Sequence, residues 1–311
     1  MSIEEQAKRF RKSLIRSQYA ERTVENYLSQ VQKFQAFLQE YYPDHTDDPK
    51  RITKEILLDY QNYLVSYRDR AGKYLSNQTM RLKLIALKKF FRFLLESNCI
   101  LSDPASSIKL PREQKRLLRD IPSQDEVRAM IQSVRPTSPV GLRNRAIIEI
   151  FYACGIRTSE LCALKQGDID LSQQTVTVWK GKGGKSRILP IGQYASEYIR
   201  RYLDQARRHL LKGKKSDPGN LFLTTRGNPF SKDTINKSVI RQIENKVKLD
   251  KHITAYSFRH AVATHLLQNH VDITYIAKLL GHSSVKTTQI YTKVEISDLT
   301  VDPQPLPPEG A

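Results

Sequence analysis

The sequence predicts a mainly α-helical fold with a small β-sheet, in which a helical N-terminal domain precedes an α+β domain. Three observations lead to this prediction. Apolar residues recur at three- and four-residue steps through the first hundred residues, two short strand patterns occur only later, and a proline- and charge-rich stretch separates the two regions. We therefore expect domains at 1–107 and 122–298, joined by a linker at 108–121 and followed by a proline-rich tail at 299–311.

The N-terminal domain is predicted from three helical segments. Between residues 23 and 39 the apolar side chains fall on one helical face. A second helix is expected after Thr53 and a third after Ser76. The third segment has so many apolar positions that we expect it to be the central, most buried helix of a small bundle.

The second domain is predicted to begin near Ser123, where SQDE has the pattern of a capping box closed by Glu126. The next helical segment can end at Gly155 in a left-handed cap. The strands TVTVW and SRILPI are joined by KGKGGK, whose paired glycines favour a hairpin turn. The remaining elements are a helix at 195–211, a short strand LFLTT, and helices after Ser231, Tyr256 and Asp272 and near Thr287.

The charge of the chain points to a polyanionic partner. It has 51 basic and 32 acidic residues, a net charge of +19, which favours nucleic acid over a merely solvated lysine-rich surface or ribosome association. No apolar run approaches the ~20 residues that span a bilayer, so we expect no membrane association and a cytoplasmic location. Its three cysteines and seven histidines show no metal-ligand spacing, so we expect neither a disulfide framework nor a metal.

Four segments of the second domain contain side chains suited to breaking a phosphodiester without metal, which requires a nucleophile, cationic donors and an acid. They are FYACGIRTSEL with Arg157, KGKGGKSRILPI with Lys182, AYSFRHAVATHLL with Arg259, and LLGHSSVKTTQIYTKV with His282 and Tyr291. In this order and spacing they resemble the catalytic domain of the tyrosine recombinases, the phage integrase family, and are most similar to its bacterial Xer-like branch. The helical first domain resembles the core-binding domain of that family more loosely.

The resemblance implies a role for each matching residue. Arg157 and Arg259 would clamp the scissile phosphate, Lys182 would protonate the leaving 5′ oxygen, and His282 would contact the phosphate. Tyr291 would be the nucleophile, leaving a 3′-phosphotyrosine and a free 5′-hydroxyl. Since the phosphotyrosine keeps the bond energy, religation would need neither ATP nor a cofactor.

Some of these assignments have alternatives. Arg157 can instead be a surface arginine paired with Glu160, a residue that the resemblance suggests supports Arg157 or its loop. Lys180 and Lys185 flank the hairpin lysine, and any of the three can be a simple phosphate contact.

The position that is usually histidine in the family is Tyr256 in this sequence. A phenol can donate a hydrogen bond but is a poor proton carrier near neutrality, and a buried packing tyrosine is the competing interpretation. His260 and His265 are interpreted as packing or solvated groups.

For the whole protein, the resemblance implies cleavage and rejoining of double-stranded DNA at a specific inverted-repeat site. Exchange would proceed through a Holliday junction in a homotetramer, or in a heterotetramer with a related recombinase. Both mobile-element integration or excision and Xer-type resolution fit the motifs. The alternatives are relaxation of a single duplex in the manner of a type IB topoisomerase, and a non-catalytic DNA-binding protein derived from a recombinase.

Overall fold

Residues 2–46, 48–69, 71–112, 121–179, 186–214 and 216–282 are described by the computed structural model. The chain divides into two units on either side of the boundary between residues 116 and 117. Among the described helices, none is long and apolar enough to cross a membrane.

In its described residues, the first unit is a bundle of four α-helices: α1 (Ile3–Arg16), α2 (Glu21–Tyr41), α3 (Lys54–Ser66) and α4 (Asn77–Glu96). Thr53 and Ser76 cap α3 and α4 by accepting a hydrogen bond from a backbone N–H of the first turn, as the sequence predicts. Helix α4 packs against the other three and buries seven of its side chains, which confirms its central position. The sequence pattern did not single out α1.

The second unit contains nine described helices and a small sheet. The helices are α5 (Gln124–Gln132), α6 (Pro139–Cys154), α7 (Thr158–Ala163), α8 (Gly192–Arg201), α9 (Arg207–Leu211), α10 (Lys232–Ile235), α11 (Arg241–Val247), α12 (Ala255–Gln268) and α13 (Ile273–Leu280). Turns of π-helix at Tyr202–Ala206 and Asn236–Ile240 connect α8 to α9 and α10 to α11.

Helix α6 is the core of this unit. It packs against α5, α8 and α12 and buries side chains on all sides, as expected for a helix that is apolar around most of its circumference. The capping box at the start of α5 is present, since Ser123 Oγ accepts from the Glu126 N–H and the Glu126 carboxylate accepts from the Ser123 N–H. Helix α6 ends at Gly155, which has a φ of 56° and confirms the predicted left-handed cap.

The sheet has three antiparallel strands in the order β1 (Ile169–Asp170), β2 (Thr175–Val178) and β3 (Arg187–Pro190). The two predicted strands are confirmed as β2 and β3, whereas β1 was not predicted. The turn between β2 and β3 lies outside the described residues.

The predicted strand LFLTT is wrong. Residues 221–225 form bends and a turn instead of an extended strand paired along its length. Within the segment, all of which the structure describes, one isolated bridge joins Leu223 to Pro229.

Replacing Gly155 with alanine is expected to lower the free energy of unfolding by about 1–3 kcal/mol. Its φ is positive, and an added Cβ would lie 2.7 Å from Leu280 Cδ2. Urea unfolding measures the loss. Gly167→Ala is the control, because a Cβ at Gly167 would have no atom within 4 Å. Equal stability of the two variants would contradict the prediction.

Candidate active site

The site is formed where the ends of four helices meet. Arg157 directly precedes α7, Arg259 lies in the second turn of α12, and His282 follows Gly281, which ends α13 in a left-handed conformation with a φ of 61°. The structure therefore brings together three of the six predicted site residues. Lys182 and Tyr291 lie outside the described residues.

Arg259 joins the ends of two helices from within the core. Its side chain is only 2% exposed. Its Nη1 donates to the carbonyl of Gly155 at 2.7 Å and its Nη2 donates to the carbonyl of Leu280 at 2.5 Å. Carbonyls at helix C-termini have no partner within the helix and carry partial negative charge, so a cation suits them. Arg259 thus places a buried positive charge between the ends of α6 and α13.

Arg157 is held on two sides. Its Nη1 donates to Glu160 Oε1 at 2.8 Å, and its Nη2 donates to the carbonyl of Gly281 at 2.7 Å. Its backbone N–H donates to the other oxygen of Glu160 at 2.9 Å. With 21% of the side chain exposed, Arg157 is not a solvated surface residue, although it does pair with Glu160. These contacts fix the orientation of the partly exposed guanidinium.

Glu160 accepts hydrogen bonds from two arginines. One is Arg157, and the other is Arg187, which the sequence patterns did not predict as a site residue. Arg187, at the start of β3, donates from Nη1 to Oε1 of Glu160 at 3.0 Å and from Nη2 to Oε2 at 2.8 Å. Burial alone would raise the pKa of Glu160, but the hydrogen bonds and charges of Arg187 and Arg157 outweigh it and lower that pKa to about 2. The carboxylate is therefore ionised throughout the working range of pH.

The strand pattern contained a signal for Arg187. Side chains two apart on a strand share a face, and Leu189, two residues after Arg187, is buried. A charged residue on the inward face requires an ionised partner. The alternation thus placed Arg187 inside the domain, but it did not identify Glu160 as its partner.

His282 is a neutral imidazole beside these arginines. Burial lowers its pKa to about 4, and the charges of Arg259, Arg157 and Arg187 act in the same direction. Its backbone N–H donates to the carbonyl of Ala277 at 2.9 Å, which fixes the turn. A neutral imidazole can donate one hydrogen bond to a phosphate oxygen.

Tyr256 is 58% exposed, so the interpretation of a buried packing tyrosine is wrong. Its ring meets that of His260 edge to face at 4.2 Å between centroids. His260 and His265 are both buried, and the Nδ1 of His265 lies 3.1 Å from the hydroxyl of Tyr152. These two histidines are packing groups, which is one of the two interpretations that the sequence allowed.

The guanidinium groups of Arg157 and Arg187 bind the carboxylate of Glu160, and the guanidinium of Arg259 binds the carbonyls of Gly155 and Leu280. Three cations and one anion leave two positive charges in excess beside the neutral imidazole of His282. Such preorganised donors stabilise an anion more strongly in a partly buried site than in water. In the part of the chain that the structure describes, no group of His, Cys, Asp or Glu is arranged to hold a metal ion. The arrangement suits a phosphate whose negative charge increases during reaction.

We expect the protein to lose stability as the pH falls from about 6.5 to about 4. Burial lowers the pKa values of His260, His265 and His282 from 6.5 to about 4, so unfolding takes up protons across this window and stability rises with pH there. Urea midpoints measured between pH 7 and 5 check this prediction. His265→Gln is expected to reduce the proton uptake by about one proton. A midpoint independent of pH would contradict it.

Comparisons with known proteins match both units of the chain. The model of the phage integrase family matches residues 122–297, and the model of the N-terminal SAM-like domain of phage integrases matches residues 7–98. The tyrosine recombinase XerC of Lactobacillus delbrueckii subsp. bulgaricus is 36% identical over 304 residues, which cover 97% of each chain.

Two solved structures show the same fold. A lambda integrase dimer bound to a COC′ core site has a TM-score of 0.71 at 18% identity and covers 97% of this chain and 99% of that one. A lambda integrase tetramer bound to a Holliday junction has a TM-score of 0.69 at 18% identity and covers 94% and 77%.

Proposed function

This chain belongs to the phage integrase family, and we propose that it cleaves and rejoins duplex DNA through a covalent bond from Tyr291. It is a tyrosine recombinase, an enzyme of site-specific recombination that acts through a covalent protein–DNA intermediate. The observation that supports the proposed site best is the meeting of Arg157, Arg259 and His282 at the ends of α6 and α13.

In the proposed reaction the hydroxyl of Tyr291 attacks the scissile phosphorus and releases its proton to solvent, and the bond to the 5′ oxygen breaks. Arg157 and Arg259 bind the nonbridging oxygens, on which negative charge accumulates in the transition state. His282 donates a further hydrogen bond. Lys182 donates a proton to the departing 5′ oxygen, which leaves as a hydroxyl. The reverse of these steps rejoins the strand, and no external energy source is needed.

Tyr256 is proposed as an additional donor to the phosphate. Its exposure on the first turn of α12, three residues before Arg259, is consistent with contact to a bound ligand. Because its phenol is a weak acid, we assign it hydrogen bonding to the phosphate rather than proton transfer.

The protein is proposed to act as an assembly on DNA. Exchange between two duplexes requires two cuts in each, and the structure of lambda integrase on a Holliday junction contains a tetramer. We infer a homotetramer, or a heterotetramer with a related recombinase, on paired inverted-repeat sites. Residues 1–107 would bind DNA as the core-binding domain and residues 122–298 would be the catalytic domain, with a linker at 108–121 and a tail at 299–311. A DNA substrate also suits a cytoplasmic location.

Sequence selection followed by a plasmid assay tests this function. Duplexes that the protein retains from a random library supply the candidate site, and a plasmid with two copies is the substrate. We expect two product circles or an inversion, according to the orientation of the sites, and no reaction of a plasmid with one copy.

Other outcomes support the alternatives. Relaxation of a supercoiled plasmid that lacks the site would indicate topoisomerase activity. Tight binding without recombination or strand cleavage would indicate a DNA-binding protein. Mobile-element exchange and Xer-type resolution share this chemistry, and the selected sequence, located in the genome of origin, distinguishes them.

A further inference from the structure

The last three carbonyls before His282 are each held by a different arginine. Arg187 Nε donates to the carbonyl of Leu279 at 3.0 Å, Arg259 binds that of Leu280, and Arg157 binds that of Gly281. The proposed chemistry gives Arg157 and Arg259 a role in binding the phosphate. It gives no role to Arg187.

Arg187 contacts both groups that accept a hydrogen bond from the side chain of Arg157. The first is Glu160, whose two oxygens accept from Arg187 while one of them also accepts from Nη1 of Arg157. The carboxylate is buried, so it is oriented by its cations rather than by water.

The second partner is the carbonyl of Gly281. A Cβ added at Gly281 would lie 3.1 Å from Cζ of Arg187, so the guanidinium packs directly against this glycine. Together with the bond to Leu279, this contact fixes the turn in which the carbonyl of Gly281 accepts from Arg157. Arg187 thus contacts both groups that accept hydrogen bonds from the Arg157 side chain.

We propose that Arg187 is a positioning residue for the DNA cleavage reaction, and that it acts by fixing the guanidinium of Arg157 against the scissile phosphate. This inference rests on the proposed role of Arg157. Arg187 shares the carboxylate of Glu160 with Arg157, and its remaining bond is to the end of α13. Its side chain is 13% exposed.

A double-mutant cycle tests the inference. The rate of covalent adduct formation on a nicked duplex is measured for the wild type, Arg187→Gln, Arg157→Gln and the double variant. We expect losses of about 10²–10³-fold for Arg157→Gln and about 10²-fold for Arg187→Gln. If Arg187 acts through Arg157, the double variant is only a few-fold slower than Arg157→Gln alone. Arg200→Gln, which removes an exposed arginine paired with Glu197, is the charge control and keeps the wild-type rate.

Three results would overturn the inference: losses that multiply in the double variant, a wild-type rate for Arg187→Gln, or a wild-type rate for Arg157→Gln. If Arg187→Gln does not unfold cooperatively in urea, Arg187→Lys takes its place in the cycle. A wild type that forms no adduct would instead contradict the proposed function, so the two failures are distinguishable.

Discussion

Replacing Tyr291 with phenylalanine is expected to abolish covalent capture of DNA, by at least about 10⁴-fold, while DNA binding is retained. The change removes only the hydroxyl that would attack the phosphorus. A denaturing gel of the protein mixed with nicked duplex measures adduct formation, and a native gel measures binding. Tyr275→Phe is the matched control, because Tyr275 is an exposed tyrosine on α13 and should tolerate the change. Adduct formation by Tyr291→Phe would show that another residue is the nucleophile.

Replacing Arg259 with lysine is expected to slow adduct formation by about 10²–10³-fold although the charge is kept. A lysine has no planar fork and cannot join the Gly155 and Leu280 carbonyls in the same geometry. At least one buried carbonyl would lose its partner, which lowers the free energy of unfolding by about 1–3 kcal/mol.

Rates for Arg259→Lys should be compared at a temperature where urea unfolding shows that the variant is folded. Arg200→Lys is the control, since Arg200 is exposed and pairs with Glu197 on the same helix. A folded Arg259→Lys enzyme with the wild-type rate would show that the reaction does not need the guanidinium of Arg259.

Much of the fold was predictable from local patterns. The helix starts at Thr53, Ser76 and Ser123 follow from a single side chain bonding to the next turn, and the end of α6 at Gly155 follows from the conformational freedom of glycine. Such features depend on a few neighbouring residues, so they can be predicted from the local sequence.

Other features depend on distant partners. Strand β1 is two residues long and is defined by the pairing of Ile169 and Asp170 with Val176 and Thr175 of β2. The segment 221–223 is apolar because it is buried on every side, and apolar character alone does not distinguish that state from a strand.

The residues of the site fall into the same two groups, those predictable from local motifs and those that depend on distant partners. Arg157, Arg259 and His282 were predicted because they occur in recognisable motifs, and the structure brings them together. Arg187 was missed because its partners, Glu160 and Leu279, are 27 and 92 residues away in the chain. Its role follows from three-dimensional contacts that only the folded domain shows.

The most direct test of the proposed chemistry is to map the covalent bond in an adduct of the wild-type protein. A duplex with the selected site and a nick just beyond the scissile phosphate traps the intermediate, because the short strand with the free 5′-hydroxyl diffuses away. Digestion and mass spectrometry then identify the modified residue and the end of the DNA. We expect Tyr291 joined to a 3′-phosphate. Attachment to another residue, attachment through a 5′-phosphate, or tight binding without any adduct would contradict the account.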